Sequence, residues 1–200
     1  MSLRVEILKG EALAAAMEDL AGLRIRVFRD FPYLYDGDPA YEATYLERYA
    51  RSDGAVIVGA FDGTTVIGAA TAAPLEDQAG DFAEPFRQAG FRLEEVYYFG
   101  ESVLLAAYRG QGIGHAFFDA REAAARSAGR SLCTFCAVVR PPDHPQRPAG
   151  YRPLDAFWKK RGYSRKEGLT APFSWLDLGQ KAATEKTMQF WLRRLEEGDA

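Results

Sequence analysis

The stretch from Ala107 to Phe118, AYRGQGIGHAFF, places three glycines in five positions between an apolar run and an alanine-rich segment. Within it, Arg109, Gly112 and Gly114 form the pattern RxxGxG. The first backbone N–H groups of a helix have no partner inside the helix and carry a partial positive charge, and glycine allows an anion to approach closely. The stretch is therefore predicted to bind a phosphate group at the start of a helix.

Two common phosphate-binding loops do not fit this spacing. A GxGxxG fingerprint that begins at Gly110 needs glycine at the position of His115, and a P-loop needs GKS or GKT, which the sequence lacks. A glycine turn that serves only tight packing of a strand against a helix stays open as the alternative.

The surrounding elements alternate between strands and helices. Apolar alternation, Asp62-Gly63 as a hairpin turn and Asp38-Pro39 as a helix start support this assignment, and Gly129 ends the helix after the glycine-rich turn. The predicted strands cover residues 5–8, 55–61, 66–73, 95–105, 132–139, 174–178 and 187–195, and the predicted helices cover 11–28, 39–52, 114–130 and 154–161. Residues 74–92 are expected to be irregular or partly helical, and residues 141–153 a proline-rich loop.

Length and charge limit the class of protein. A chain of 200 residues is the size of one domain, and 25 basic against 28 acidic residues give a net charge of -3 without a long basic run. General nucleic-acid binding and membrane partners are therefore not expected. The N-terminus resembles a strand rather than a signal peptide, so we expect a cytoplasmic protein.

Cysteine and histidine do not indicate a metal site. The two cysteines, Cys133 and Cys136, form one CxxC in an apolar stretch that is typical of a strand, where their thiols point to opposite faces. The two histidines, His115 and His144, are far apart in the sequence. We expect buried structural cysteines and no metal, with a metal or redox pair as the alternative.

The motif YRGQGIGHAFFDA, which follows ESVLLAA, resembles the acyl-CoA-binding motif of the GNAT superfamily of N-acyltransferases. The resemblance covers nearly the whole chain, and residues 76–92 and 141–153 are its loosest parts. It implies a single N-acetyltransferase domain over residues 1–200, with an α/β fold. That fold has a central mixed, mostly antiparallel sheet of about seven strands, helices on both faces, and a splayed strand pair that admits CoA.

The resemblance also assigns the site of the cosubstrate, acetyl-CoA. It implies that the pyrophosphate binds to the turn and that the pantetheine arm pairs with the end of the preceding strand, where a main-chain N–H near Leu105 meets the thioester carbonyl. The implied cosubstrate-binding residues are Val103, Leu104, Leu105, Arg109, Gly110, Gln111, Gly112, Ile113, Gly114, His115, Phe157 and Trp158. A role for His115 as part of the helix start alone stays open.

The resemblance implies that Glu101, on the strand before the motif, is the general base, and the alternative is a glutamate that is ion-paired or solvated. At the position of the general acid, the sequence departs from the family pattern. The segment LDAFWKKRGYSR has Trp158 where the family has a tyrosine near the sulfur of CoA. An indole cannot supply that proton. Tyr151 and Tyr163 are weaker substitutes.

The acceptor is expected at residues 24–49, which are rich in aromatic residues, arginine and aspartate. Packing aromatics and surface charges are the alternative interpretation of that segment. The predicted function is transfer of an acetyl group from acetyl-CoA to an amine of a small molecule, by direct attack in a ternary complex. An acyl-CoA-binding regulatory or interaction module with little turnover is the alternative, and a non-CoA nucleotide-binding domain is the third reading. The resemblance also allows for a homodimer.

Overall fold

A computed structural model describes residues 2–78 and 80–196 of the chain. Seven strands form one sheet in the order β1-β2-β3-β4-β5-β7-β6. The strands are β1 (Leu3–Leu8), β2 (Val56–Asp62), β3 (Thr65–Pro74), β4 (Val96–Leu104), β5 (Leu132–Val138), β6 (Ser164–Trp175) and β7 (Thr184–Arg194). The helices are α1 (Gly10–Phe28), α2 (Pro39–Arg51), α3 (Gly80–Gln88), α4 (Ile113–Ser127) and α5 (Asp155–Lys160).

The centre of the sheet opens between β4 and β5. These two strands are parallel and pair only from Val96 opposite Leu132 to Tyr98 opposite Thr134. Beyond that point β4 continues along β3 and β5 continues along β7, both antiparallel. The gap between residues 99–104 of β4 and 135–138 of β5 is called the wedge below.

A β-bulge lies in β4 where the wedge begins. Ala72 pairs with Phe99 and Ala70 pairs with Ser102, so β4 has one residue more than β3 across this interval. A bulge of this kind bends the strand and increases its twist. It therefore turns the end of β4 away from β5 and exposes an unpaired strand edge inside the sheet.

Helices cover both faces of the sheet. On one face, α1 and α2 pack on β1–β4, and α3 packs on the half of the sheet that contains β5–β7. On the opposite face, α4 and α5 pack against β2–β5 and β7. The wedge therefore lies between two layers of helices, and each face of the sheet at the wedge is covered by different helices.

The predicted mixed sheet, its helices on both faces and the splayed pair are confirmed. Asp38 caps α2, as expected, by accepting hydrogen bonds from the Ala40 and Tyr41 N–H groups at 2.8 and 3.3 Å. The stretch predicted as irregular or partly helical contains α3. Within the described residues, no helix is long and apolar enough to cross a membrane.

The prediction for the sixth strand was wrong in its position. We expected a strand over residues 174–178, whereas β6 runs from Ser164 to Trp175. Its first half is exposed and charged because it lies at the sheet edge, and its register with β7 shifts between Arg165 and Thr170. The alternation that marks a half-buried strand is therefore missing from this part of the sequence.

Candidate active site

The glycine-rich turn has the backbone that the motif predicts. Gly110 and Gly112 have φ values of 78° and 85°, a region that residues with a Cβ rarely adopt, and Gly112 is the N-cap of α4. A Cβ built on either glycine would meet no atom within 4 Å. Packing inside the chain therefore does not explain these glycines, and the space in front of the turn is open to a ligand.

The N–H groups of this turn are available to an anion. In the described part of the chain, the backbone N–H groups of residues 110–115 donate to no backbone carbonyl or side chain, and the first hydrogen bond of α4 runs from Ala116 N–H to Gly112 O at 3.1 Å. Unpaired donors at a helix start are the usual site for phosphate. The turn therefore fits the pyrophosphate of CoA.

The unpaired edge of β4 leads from this turn into the wedge. Leu105 N–H donates to the Ile67 carbonyl of β3 at 3.0 Å, so that group is not free to bind a ligand. Main-chain groups of successive residues in a strand point to opposite edges. Leu104 therefore presents its N–H and carbonyl to the wedge. The main-chain donor expected near Leu105 is then the N–H group of Leu104.

Glu101 lies in the bulge of β4 and points toward α1 and α2. Its Oε2 accepts hydrogen bonds from the hydroxyls of Tyr45 and Thr71, both at 2.7 Å. Its Oε1 forms an ion pair with Nη1 of Arg24 at 2.5 Å, although the angle is not that of a hydrogen bond. The Glu101 side chain is only 4% exposed. Glu101 is therefore a buried, ion-paired glutamate and not a solvated one.

Arg24 of α1 links Glu101 to a second buried carboxylate. Its Nε contacts Oε2 of Glu42 on α2, and its guanidinium lies over the ring of Tyr45 at 3.9 Å. Burial alone would lower the pKa of Arg24, but the charges of Glu101 and Glu42 outweigh it and raise that pKa well above its usual value. Two carboxylates and one guanidinium are therefore held together under the bulge.

The comparisons with known proteins bear on this arrangement. The model of the acetyltransferase (GNAT) family matches residues 20–149, which is more than half of the chain. The chain belongs to the GNAT family. Membership in this family confirms the predicted enzyme class, an N-acetyltransferase with acetyl-CoA as its cosubstrate.

Solved structures of acetyltransferases share the fold of this GNAT enzyme. The acetyltransferase YncA of Salmonella typhimurium, solved with acetyl-CoA, has a TM-score of 0.64 at 11% identity and covers 100% of this chain and 98% of its own. The ribosomal-protein-alanine N-acetyltransferase of Brucella melitensis has a TM-score of 0.63 at 16% identity, with 96% and 99% covered. An aminoglycoside 6'-N-acetyltransferase in complex with coenzyme A has a TM-score of 0.62 at 15% identity, with 98% and 99% covered. A comparison with curated protein sequences gave no match.

Two aromatic residues of α5 differ in what they contact in this acetyltransferase. The ring of Phe157 lies 4.9 Å from that of His115 and 3.5 Å from the position of a Cβ on Gly114. The indole of Trp158 packs 5.0 Å from Phe135 of β5 and 5.1 Å from Trp191 of β7. Phe157 therefore lies beside the glycine-rich turn of residues 110–115, called the phosphate turn below. Trp158 packs against β5, the strand across the wedge from β4.

The two tyrosines considered as substitute general acids, Tyr151 and Tyr163, lie in different environments. Tyr163 is 2% exposed and donates to Oε1 of Glu122 at 3.0 Å, and burial raises its pKa well above the usual value. Tyr151 is partly exposed and packs edge-on against Phe31 at 4.7 Å. Tyr163 is therefore part of the core on the α4 face of the sheet, whereas Tyr151 packs against the segment expected to bind the acceptor.

The connection between α1 and α2, residues 29–38, is held by an arginine that the sequence did not single out. Arg140 donates to the carbonyls of Pro32 and Tyr33 at 2.8 Å and binds both oxygens of Asp177 at 2.9 Å. Asp177 lies in the turn between β6 and β7, next to the ammonium of Lys186 at 3.2 Å. The connection is thus fixed to the opposite end of the sheet.

Arg121 of α4 was also missed, and it supports the bulge from the other face. It is 1% exposed, and its guanidinium donates to the carbonyls of Glu101 at 3.0 Å and Thr71 at 3.4 Å and to the Ser102 hydroxyl at 2.7 Å. Burial lowers its pKa to about 10. The only sequence signal was an arginine on the apolar face of a predicted helix.

The cysteines are buried on opposite faces of β5, as predicted. Cys133 packs with the residues under α4, and Cys136 packs with those under α3, where its sulfur lies 3.4 Å from the Tyr98 hydroxyl. Burial raises the pKa of both thiols to about 12. The described residues contain no group of three or more His, Cys, Asp or Glu that could hold a metal ion.

Proposed function

We propose that this enzyme transfers the acetyl group of acetyl-CoA to an amine of a small molecule by direct attack in a ternary complex. The observation that carries the proposal is that the phosphate turn and Glu101 reach the same part of β4 from opposite sides. The turn approaches from the N-terminus of α4, and Glu101 faces α1 and α2. Donor and acceptor therefore have separate approaches to one reaction point.

The donor is proposed to lie along the turn and the wedge. The N–H groups from Gly110 to His115, with Arg109 beside them, bind the pyrophosphate, and the edge of β4 from Val103 to Leu105 follows the pantetheine arm. Leu104 N–H is placed to donate to the thioester oxygen as negative charge develops on it. Phe157 and Trp158 border this path.

A covalent acetyl-cysteine step is disfavoured. The chain has only Cys133 and Cys136, and both are buried with thiol pKa values raised to about 12. A thiol of that pKa forms almost no thiolate near neutral pH, and the thiolate is the nucleophile. Attack by the acceptor amine on the thioester itself is the route that these residues support.

Glu101 is proposed as the group that finally receives the proton of the amine. Acyl transfer needs an unprotonated amine, and a positioned carboxylate contributes to that step by general base catalysis. Glu101 is the carboxylate beside the wedge on the acceptor side. The acceptor segment remains an expectation, as do the cytoplasmic location, the single domain over residues 1–200 and the homodimer.

A second function rests on Trp158. Because this indole stands where the family has a tyrosine and is packed against Phe135 and Trp191, a module that binds acyl-CoA with little turnover is the competing proposal. The two differ in whether thiol is released when an amine is added.

The experiment is to incubate the protein with acetyl-CoA and a panel of small amines and to follow free thiol. We expect amine-dependent release that falls in Glu101→Gln. Thr187→Ala, an exposed substitution on β7, is the control and should keep wild-type turnover. Tight acetyl-CoA binding without amine-dependent release by any amine would favour the binding module.

A further inference from the structure

The carboxylate of Glu101 is enclosed by its own partners. Oε1 faces Arg24, and Oε2 accepts from Tyr45 and Thr71. Oε1 has essentially no exposed surface. An acceptor amine cannot contact this carboxylate directly without displacing one of those three residues.

Tyr45 of α2 covers Glu101 and belongs to the segment proposed to bind the acceptor. Its hydroxyl donates to Glu101 Oε2 at 2.7 Å, and its side chain is partly exposed, whereas that of Glu101 is buried. Its ring lies on the Arg24 guanidinium at 3.9 Å, which fixes the direction of the hydroxyl. The Tyr49 hydroxyl lies 3.2 Å from the same oxygen. Because Tyr45 has one hydroxyl proton and gives it to Glu101, its oxygen can only accept from any further donor.

Position 100 has no room for a side chain, because these hydroxyls lie directly against its backbone. A Cβ on Gly100 would overlap the Tyr49 hydroxyl and lie 2.8 Å from that of Tyr45. The bulge of β4 therefore brings backbone, two phenols and the carboxylate into direct contact. Such an arrangement places a polar chain where a sheet normally has apolar packing.

We propose that Tyr45 is a catalytic residue that contacts the acceptor amine and relays its proton to Glu101. This inference rests on the proposed acetyl transfer and adds to it the group that touches the acceptor. Glu101 acts behind Tyr45 as the terminal acceptor.

The proton transfer balances without any further reagent. The acceptor binds as an ammonium, and its nitrogen gives one proton to Tyr45 Oη while the proton of Tyr45 moves to Glu101 Oε2, so the phenol ends neutral and Glu101 ends protonated. The freed amine forms a bond to the thioester carbon, the C–S bond breaks, and CoA leaves as a thiolate. The thiolate takes the second proton that the nitrogen loses, and Glu101 returns its proton to solvent through Tyr45.

The electrostatics keep Tyr45 in the protonated form that this relay needs. Burial and then the negative charge of Glu101 raise the pKa of Tyr45 well above its usual value. The titratable and charged groups that face this pair are Arg24 of α1, Tyr33 of the α1–α2 connection, Glu42, Tyr41 and Tyr49 of α2, and Tyr98 of β4.

The test compares Tyr45→Phe, Glu101→Gln and the double variant in the thiol-release assay. Phenylalanine keeps the ring on Arg24 and removes only the hydroxyl, so the fold should be retained, as circular dichroism would show. We expect kcat to fall about 100-fold or more in each single variant, with the KM for acetyl-CoA unchanged. Residues that act as a unit are not additive, so the double variant should be no slower than the slower single variant. Tyr97→Phe on β4, whose hydroxyl donates to the Gly54 carbonyl at 2.6 Å, is the control with near wild-type rates.

The pH profile separates a relay from a packing role. Because the fraction of free amine rises with pH, the defect of Tyr45→Phe should shrink toward pH 10, whereas a packing defect would not follow the amine. An active wild type with an unchanged Tyr45→Phe, or a defect independent of pH, would overturn the relay alone. A wild type that releases no thiol with any amine would overturn the proposed function, and the relay with it.

Discussion

Replacing Gly112 with alanine separates the role of this glycine in the backbone from its role toward acetyl-CoA. At φ of 85° an alanine is strained, and the usual cost of this region for a residue with a Cβ is about 1–2 kcal/mol. Its Cβ would meet no atom of the chain within 4 Å, so no clash adds to that cost. For a domain of this length the strain corresponds to a fall of about 2–8 °C in Tm.

The effect on acetyl-CoA should be larger than the effect on the fold. The new methyl group occupies the open space in front of the turn, where a phosphate must come within hydrogen-bond distance of the N–H groups. Loss of one hydrogen bond to a charged group is worth about 1.5–3 kcal/mol. We therefore expect Gly112→Ala to weaken acetyl-CoA binding about 10- to 100-fold in isothermal titration calorimetry.

Gly129 supplies the matched control at the other end of the same helix. It has φ of 68° and, like Gly112, no neighbour within 4 Å of an added Cβ. The Tm of Gly129→Ala should therefore fall by a similar amount, but the variant should bind acetyl-CoA with wild-type affinity. Equal affinity of the two variants would refute the assignment of the turn to the pyrophosphate.

Three further predictions concern buried polar groups. Arg121→Met should lower the free energy of unfolding, by about 1–3 kcal/mol for each buried carbonyl left unpaired, in urea denaturation; a variant as stable as the wild type would contradict its support of the bulge. Cys133 and Cys136 should not react with a thiol reagent at pH 8 until urea is added, and rapid labelling of the folded protein would contradict their burial. Because folding raises both thiol pKa values from 9.0 to about 12, their contribution to stability is complete below pH 9 and is lost as the pH rises toward 12, which unfolding measured at pH 8 and pH 10 would show.

Local patterns in the sequence carried most of the fold. The glycine turn, the Asp38 cap and the Asp62-Gly63 hairpin have short-range causes, so spacing alone predicts them. The start of β6 does not, because an exposed edge strand has no buried face to impose alternation. Its position depends on pairing with β7, which lies later in the chain.

The glycine turn that we assign to the donor was predictable from the sequence, whereas the contacts around Glu101 were not. Backbone donors at a helix start leave a motif of glycines, whereas the cluster around Glu101 joins Arg24, Tyr45 and Thr71 from three separate elements. Arg121 is equally hidden, because its partners are carbonyls created by a bulge. A polar group whose partners meet only in the folded sheet leaves no spacing to find.

The anchoring of residues 29–38 by Arg140 changes where selectivity for the acceptor is encoded. One wall of the proposed acceptor side is shaped by Asp177 and the β6–β7 turn as much as by its own sequence. If the acceptor binds beside residues 29–38, substitutions in that turn are expected to change the choice of amine without altering any group that contacts the acceptor. Directed evolution of acceptor range then has a second, distant region to sample.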